Sequence, residues 1–171
     1  MLYSYNGISP KLKSPAFIAP TCTIIGNVEI RKNAIIFFGV IIRAEKGKII
    51  IGENTIIEDN VIIHGSNVEI GNNVIIQHNS CIHGSIIEDN VIIGTNCTIS
   101  AHVHIKEGSM ILNNTLIHPG KIIKKRKKAW IKGNKLKMKG TITEKLIERN
   151  KKYIDTLIET SKNYSDLLEQ L

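Results

Sequence analysis

Three histidines between positions 64 and 83, His64, His78 and His83, are the residues of this 171-residue chain best suited to chemistry. Neutral imidazole is the commonest metal ligand among side chains. Three imidazoles with a fourth position left open describe a catalytic zinc site rather than a closed structural one. Glu58 and Asp59 precede His64, Gln77 precedes His78, and Arg43 and Glu45 lie earlier in the chain. A metal held by such a set can lower the pKa of a bound water, provided the fold brings the ligands together.

A repeat of six must position them. Isoleucine accounts for 35 residues, about a fifth of the chain, and it recurs at Ile18, Ile24, Ile30, Ile36 and Ile42. The series resumes at Ile51, Ile57 and Ile63, then Ile70, Ile76 and Ile82, then runs from Ile87 to Ile117 through 93, 99, 105 and 111. Four residues after most anchors stands a small or β-branched residue, among them Cys22, Val40, Thr55, Ser80, Cys97 and Ser109. Turn-forming pairs such as Glu53-Asn54, Asp59-Asn60, Asn72-Asn73, Asp89-Asn90 and Asn113-Asn114 fall between them. A period of six fits neither a helix at about 3.6 nor a hairpin meander with strands every eight to twelve residues or so. It fits a solenoid in which each hexad is a short strand and a corner. Three hexads make one triangular coil, and coils stack at roughly 4.8 Å. Seventeen hexads then predict between five and six coils around a column of isoleucines. An aromatic content of only 5% agrees with a core that narrow. Cys22 and Cys97 become packing residues, and three cysteines make no disulfide framework, so a reducing, cytoplasmic setting is expected.

The repeat converts spacing into geometry. Residues three hexads apart lie above one another, so His83 stacks over His64 and His64 over Arg43. His78 stacks over Asp59 in a second column, with Gln77 over Glu58 beside it. All of these side chains are expected to point outward, because the anchors occupy the interior. His64 and His83 can share one metal, but His78 stands on another face of the triangle. A homotrimer resolves this: His78 of one subunit meets His64 and His83 of its neighbour, and Arg43 approaches Asp59 across the same interface. His102, His104 and His118 read as surface residues.

The net charge of +8 is confined to one segment. Residues 121 to 139 hold ten of the 23 Lys and Arg and no acid, so the rest of the chain is near neutral. This divides the chain into a β-helix over 1–120, a basic connector over 121–140 and a C-terminal helix over 141–171. Nucleic acid is not expected as a partner of a solvated connector, although Lys124 to Lys128 lie near Trp130. No apolar run reaches the eighteen or so residues of a membrane span, and no secretory leader is evident at the N-terminus. The last segment reads as an amphipathic helix, with a capping pair at Thr141 and Glu144 and a stripe of Leu146, Ile147, Ile154, Leu157, Ile158, Leu167, Leu168 and Leu171. It is expected to pack on the solenoid.

Three stretches resemble one family. They are Ile41-Ile42-Arg43-Ala44-Glu45, Thr55-Ile56-Ile57-Glu58-Asp59 followed by His64, and Gln77-His78-Asn79-Ser80-Cys81-Ile82-His83-Gly84. Together they resemble the γ-class carbonic anhydrases of the hexapeptide-repeat superfamily. The resemblance runs over about residues 10 to 160, including Gly133-Asn134 at a closing turn and Tyr153 in the terminal helix. It implies a mainly β fold, a left-handed parallel β-helix followed by an α-helix, whereas general crossover rules favour a right hand. It implies zinc on His64, His78 and His83 of a trimer, with iron or cobalt able to fill the same site. It also implies a lyase that hydrates CO2 to bicarbonate through a metal-bound hydroxide. Arg43, Glu45, Glu58, Asp59, Gln77 and Tyr153 are then the supporting catalytic set.

This chain departs from the family where Glu45 replaces Asp, Glu58 replaces Gln and Ile56 replaces Asn. Glu58 adds negative charge near the expected site, which tends to raise the pKa of a bound water. Ile56 removes a hydrogen-bonding side chain. Two other readings stay open: an acyl-CoA thioesterase or acyltransferase whose phosphates meet Lys124 to Lys128, and a non-catalytic metal-binding trimer.

Overall fold

A computed structural model describes residues 1–133 and 135–168, the side chains of 165–168 excepted. Asn134 of the expected turn, Leu171 and the Leu167 and Leu168 side chains of the expected stripe lie outside these. The fold is a left-handed parallel β-helix with one C-terminal helix, α1, over Glu144–Leu168. Every anchor from Ile24 to Ile117 is buried, and so are the small residues four positions on, which close the interior at the corners. Asn54, Asn60, Asn73, Asn90 and Asn114 turn the corners in the left-handed region, at φ between 53° and 60°. Asparagine tolerates that region better than most residues, and its amides add a ladder of their own. Asn33 Nδ2 donates to Asn54 Oδ1 at 3.1 Å, and Asn96 Nδ2 to Asn114 Oδ1 at 3.3 Å.

Two sheets result. One has eight strands and includes Phe17–Ile18, Ile35–Ile36, Ile56–Ile57, Ile75–Ile76, Ile92–Ile93 and Met110–Ile111. The other has twelve, because the long strands Thr23–Ile30 and Ile41–Ile51 bend round a corner and join two faces of the triangle. Ile41–Ile51 pairs through its start with Ile62–His64 and through its end with Asn67–Ile70.

Within the connector expected over 121–140, three segments are instead β-strands. Ile122–Ile123 and Lys128–Lys132 continue the parallel rungs, and Lys135–Lys139 folds back antiparallel on the latter. The solenoid therefore has about seven turns rather than five to six. The inward column runs on through Ile123 and Ala129, both fully buried, while lysines fill the outward positions and mask the repeat. Leu136 and Met138 pack against the top of the core, so the hairpin closes an end that would otherwise expose apolar side chains and unpaired backbone.

The capping pair also shifts. The Thr143 carbonyl accepts the first bonds of α1, from the Leu146 and Ile147 amides, while Glu144 pairs with Arg126 Nη2 at 2.6 Å. From there α1 lies on the outer face of the eight-stranded sheet. Its Ile154 joins Phe17, Ile35, Ile56 and Ile75 in a second apolar cluster, with Leu157 and Ile158 packed against it.

One ion-pair cluster gives the solenoid a defined acid sensitivity. Glu29 accepts from Lys48 Nζ at 2.7 Å and Arg31 Nε at 3.0 Å, and these bonds hold its carboxyl down at about 2 against an ordinary 4.5. The unfolded chain takes up this proton first. The stabilisation is therefore complete above pH 4.5 and disappears as the pH falls towards 2. Thermal melts of Glu29→Gln should show a shallower decline across that interval than the parent. Parallel declines would mean that the cluster is solvated and adds nothing.

Candidate metal centre

His64 ends the strand Ile62–His64, and His83 ends the next rung, Cys81–His83, with the two directly in register. Arg43 is in register one rung below His64. The short corners after the histidines allow this stacking: Gly65, at φ 127°, has no room for a Cβ, which would lie 2.6 Å from the Gly84 amide nitrogen. His83 Nδ1 stands 3.3 Å from His64 Nε2, and the ring centroids are 4.4 Å apart at 86°. Two nitrogens bound about 2.05 Å from a tetrahedral zinc stand roughly 3.3 Å apart, so the pair already has the bite of two zinc ligands. Burial first, then the positive neighbours His83 and Arg43, push His64 below the ordinary imidazole value. That favours the neutral, ligating form. Glu45 opposes this shift, and it pairs with Arg43 Nη1 at 3.3 Å across a half-exposed surface.

His78 stands at the corner between the eight-stranded sheet and the histidine face, two residues beyond Ile76. Its Nε2 lies 3.0 Å from Glu58 Oε2 and its Nδ1 3.3 Å from Asp59 Oδ2. Asp59 also accepts the Phe38 amide at 3.0 Å through its other oxygen, so the backbone corner holds it fixed. A carboxylate on one imidazole nitrogen is the usual support of a metal-ligating histidine. The Glu58 contact occupies the other nitrogen, so His78 fits a metal only by exchanging Glu58 for it.

Glu58 corrects an expectation. It does not point into solvent but is only 5% exposed, because α1 covers this side of the sheet and His78 stacks above it. Burial pushes its carboxyl up, and the neighbouring His78 charge pulls it back. Ile56, expected near the water-positioning shell, is fully buried in the cluster beneath α1. Gln77 stands half-buried on the rung above Glu58.

Glu58, Asp59, His78 and Tyr153 line one cavity of about 220 Å³ together with Phe37, Phe38, Leu157 and Tyr164. Partial burial, and then the Glu58 charge, push the Tyr153 phenol above its ordinary value. The aromatic wall went unnoticed in the sequence. Its signal was there, since Phe37-Phe38 places two of the chain's three phenylalanines at outward positions of the repeat. Tyr164 packs on all three, with ring centroids 5.7 to 6.0 Å away.

One chain therefore presents two half-sites, His64 with His83 and His78 with its carboxylates. Among the described residues, no three His, Cys, Asp or Glu side chains of the single chain converge to hold a metal ion. The three cysteines are free, Cys22 and Cys97 being buried in the corners as expected. No described helix is long and apolar enough to cross a membrane.

No family model matches the sequence. Over 72% of its length the chain is 32% identical to a protein from Geobacillus kaustophilus named carbonic anhydrase, of which it covers 56%. Over 94% of its length it is 29% identical to the mitochondrial gamma carbonic anhydrase 2 of Arabidopsis thaliana, of which it covers 58%. The chain thus spans less than two thirds of these curated relatives. The crystal structure of a hexapeptide transferase family protein from Anaplasma phagocytophilum superposes with a TM-score of 0.89 at 34% identity, over 95% of this chain and 97% of that one.

Proposed function

The chain belongs to the hexapeptide transferase family and is γ-carbonic-anhydrase-like within it, and on that premise we propose that it hydrates CO2 reversibly at zinc sites shared between the subunits of a cytoplasmic homotrimer. The observation that carries this reading is the 3.3 Å approach of His64 Nε2 and His83 Nδ1, a ligand pair that lacks a third member on its own face. Zinc bound there would act as a Lewis acid and bring the pKa of its water to about 7.

The chain's own residues have separable roles in this account. His64 and His83 of one subunit and His78 of the next supply the three ligands. Asp59 orients His78 through Nδ1, and the Phe38 amide orients Asp59. Burial, and then His83 and Arg43, favour the neutral form of His64, and Arg43 is in turn restrained by Glu45. Where the subunits meet, the outward apolar residues Ile41 and Ile62, both about 40% exposed in the single chain, become buried. The aromatic wall of Phe37, Phe38 and Tyr164 gives an apolar substrate a dry approach to His78. Glu58, Gln77 and Tyr153 face the same space with groups that accept or donate hydrogen bonds. Glu58 would give up His78 Nε2 to the metal and turn its carboxylate to that space.

The relative named as a transferase favours one further reading, acyl transfer or thioester hydrolysis with His78 as the base and Asp59 behind it. Elemental analysis of protein purified without added metal, paired with stopped-flow CO2 hydration before and after chelation, separates the two. Hydration that follows zinc content supports the proposal. A metal-loaded trimer inert towards CO2 but active on a panel of acyl-CoA thioesters would replace it with the second reading, and one inert to both would leave a metal-binding scaffold.

A further inference from the structure

The antiparallel ribbon of Lys128–Lys132 and Lys135–Lys139 has two unlike faces. Ala129, Leu136 and Met138 turn inward onto the isoleucine column. The other face carries three directly opposed pairs, Lys128 with Lys139, Trp130 with Lys137 and Lys132 with Lys135. Five exposed lysines thus surround the only tryptophan of the chain. Like charges directly opposite each other destabilise an antiparallel pair. Among the described residues, no carboxylate pairs with any of the five, whereas the preceding Lys125 and Arg126 are engaged by Glu107 and Glu144. Of the cluster Lys124 to Lys128, two members are thus neutralised, and Lys128 belongs to the ribbon. The ribbon is also concave: Trp130, Lys132, Lys135, Lys137 and Lys139 line a cavity of about 470 Å³, within the size range of small-molecule sites.

We propose that this ribbon binds a nucleoside polyphosphate, with the base stacked on the Trp130 indole and the phosphates held by Lys132, Lys135, Lys137 and Lys139. The two parts of the site require the two parts of the ligand. A bare polyphosphate leaves the indole unused, and a bare aromatic ring leaves the like-charged lysines opposed. Surfaces that track single-stranded nucleic acid offer successive aromatic platforms to successive bases. Here one indole serves the whole face, which selects a ligand with one base. Lysine ammonium groups bind phosphate as point charges, so the affinity must fall as salt rises. The site lies on different rungs from the histidines and does not depend on the metal reading.

Because Trp130 is the only tryptophan, its fluorescence reports on this site alone. The full chain at low salt is titrated with ATP, ADP, adenosine, inorganic tripolyphosphate and a short oligothymidylate. ATP should quench the emission, with an affinity that declines with salt and exceeds those of adenosine and tripolyphosphate by at least about tenfold. Lys135→Glu combined with Lys137→Glu should weaken ATP binding by at least tenfold or so while the far-ultraviolet circular dichroism stays unchanged, since both side chains are exposed. By calorimetry, Trp130→Ala should weaken ATP about tenfold and leave tripolyphosphate unaffected. Absence of ATP binding at millimolar concentration overturns the proposal. So does equal binding of tripolyphosphate and ATP, which marks a general polyanion patch, or oligothymidylate binding that ATP does not displace, which marks a nucleic-acid surface.

Discussion

His83→Ala and His78→Ala are expected to lower zinc affinity by the same large factor, more than about 100-fold, since even groups that only support a ligand are worth 10- to 100-fold. The two side chains do not meet in one chain. His83 stands on the face of Ile62–His64 and Cys81–His83, and His78 at the neighbouring corner with Glu58 and Asp59. Equal losses follow only if both contribute to the same ion from different subunits. Their effects on folding should differ. His83 is exposed, and its removal should change stability by no more than about 0.5 kcal/mol. In the metal-free protein His78→Ala strips the partner from a nearly buried carboxylate, a change that costs about 1–3 kcal/mol. Equilibrium dialysis against a chromophoric chelator measures the first effect and urea unfolding the second. A His78→Ala protein that binds zinc as tightly as its parent would exclude His78 from the site.

Ile56→Asn is expected to destabilise the chain by about 3–5 kcal/mol, through both a lost aliphatic side chain and a buried amide without a partner. In the resembling family this position carries Asn, and a sequence comparison alone would treat the change as a restoration of function. In this chain Ile56 is fully buried against Phe17, Ile35, Ile75 and Ile154. The isoleucine is there to seat α1. Ile56→Val, by contrast, should lose only about 0.5–1.5 kcal/mol. Urea unfolding of the two variants tests this. A midpoint for Ile56→Asn close to that of the parent would mean that α1 does not bury the position.

What the sequence revealed and what it hid have physical reasons. A solenoid is nearly one-dimensional, so a local period of six determines the core column, the asparagine corners and the register of His64 with His83. The last coil is masked by its outward residues. Ile123 and Ala129 keep the period, but the lysines around them read as a loop. The burial of Glu58 is hidden for a different reason. Its outward direction follows from the repeat, but its burial depends on α1, which packs back from almost ninety residues away in sequence. The same non-local contact brings Tyr153 and Tyr164 to Phe37 and Phe38, which no spacing within the repeat encodes.

The central claim is that each metal is held by two chains, and the zinc content of mixed trimers tests it most directly. His64→Ala and His78→Ala chains, each lacking one side of the site, are purified separately and then co-assembled in equal amounts. Each parent alone should hold almost no zinc. Random threefold mixing places an intact His64 beside a neighbour's intact His78 in about a quarter of the interfaces, so the mixture should recover about a quarter of the native zinc. A mixture that assembles into the same oligomer yet holds no more zinc than its parents would contradict the shared site.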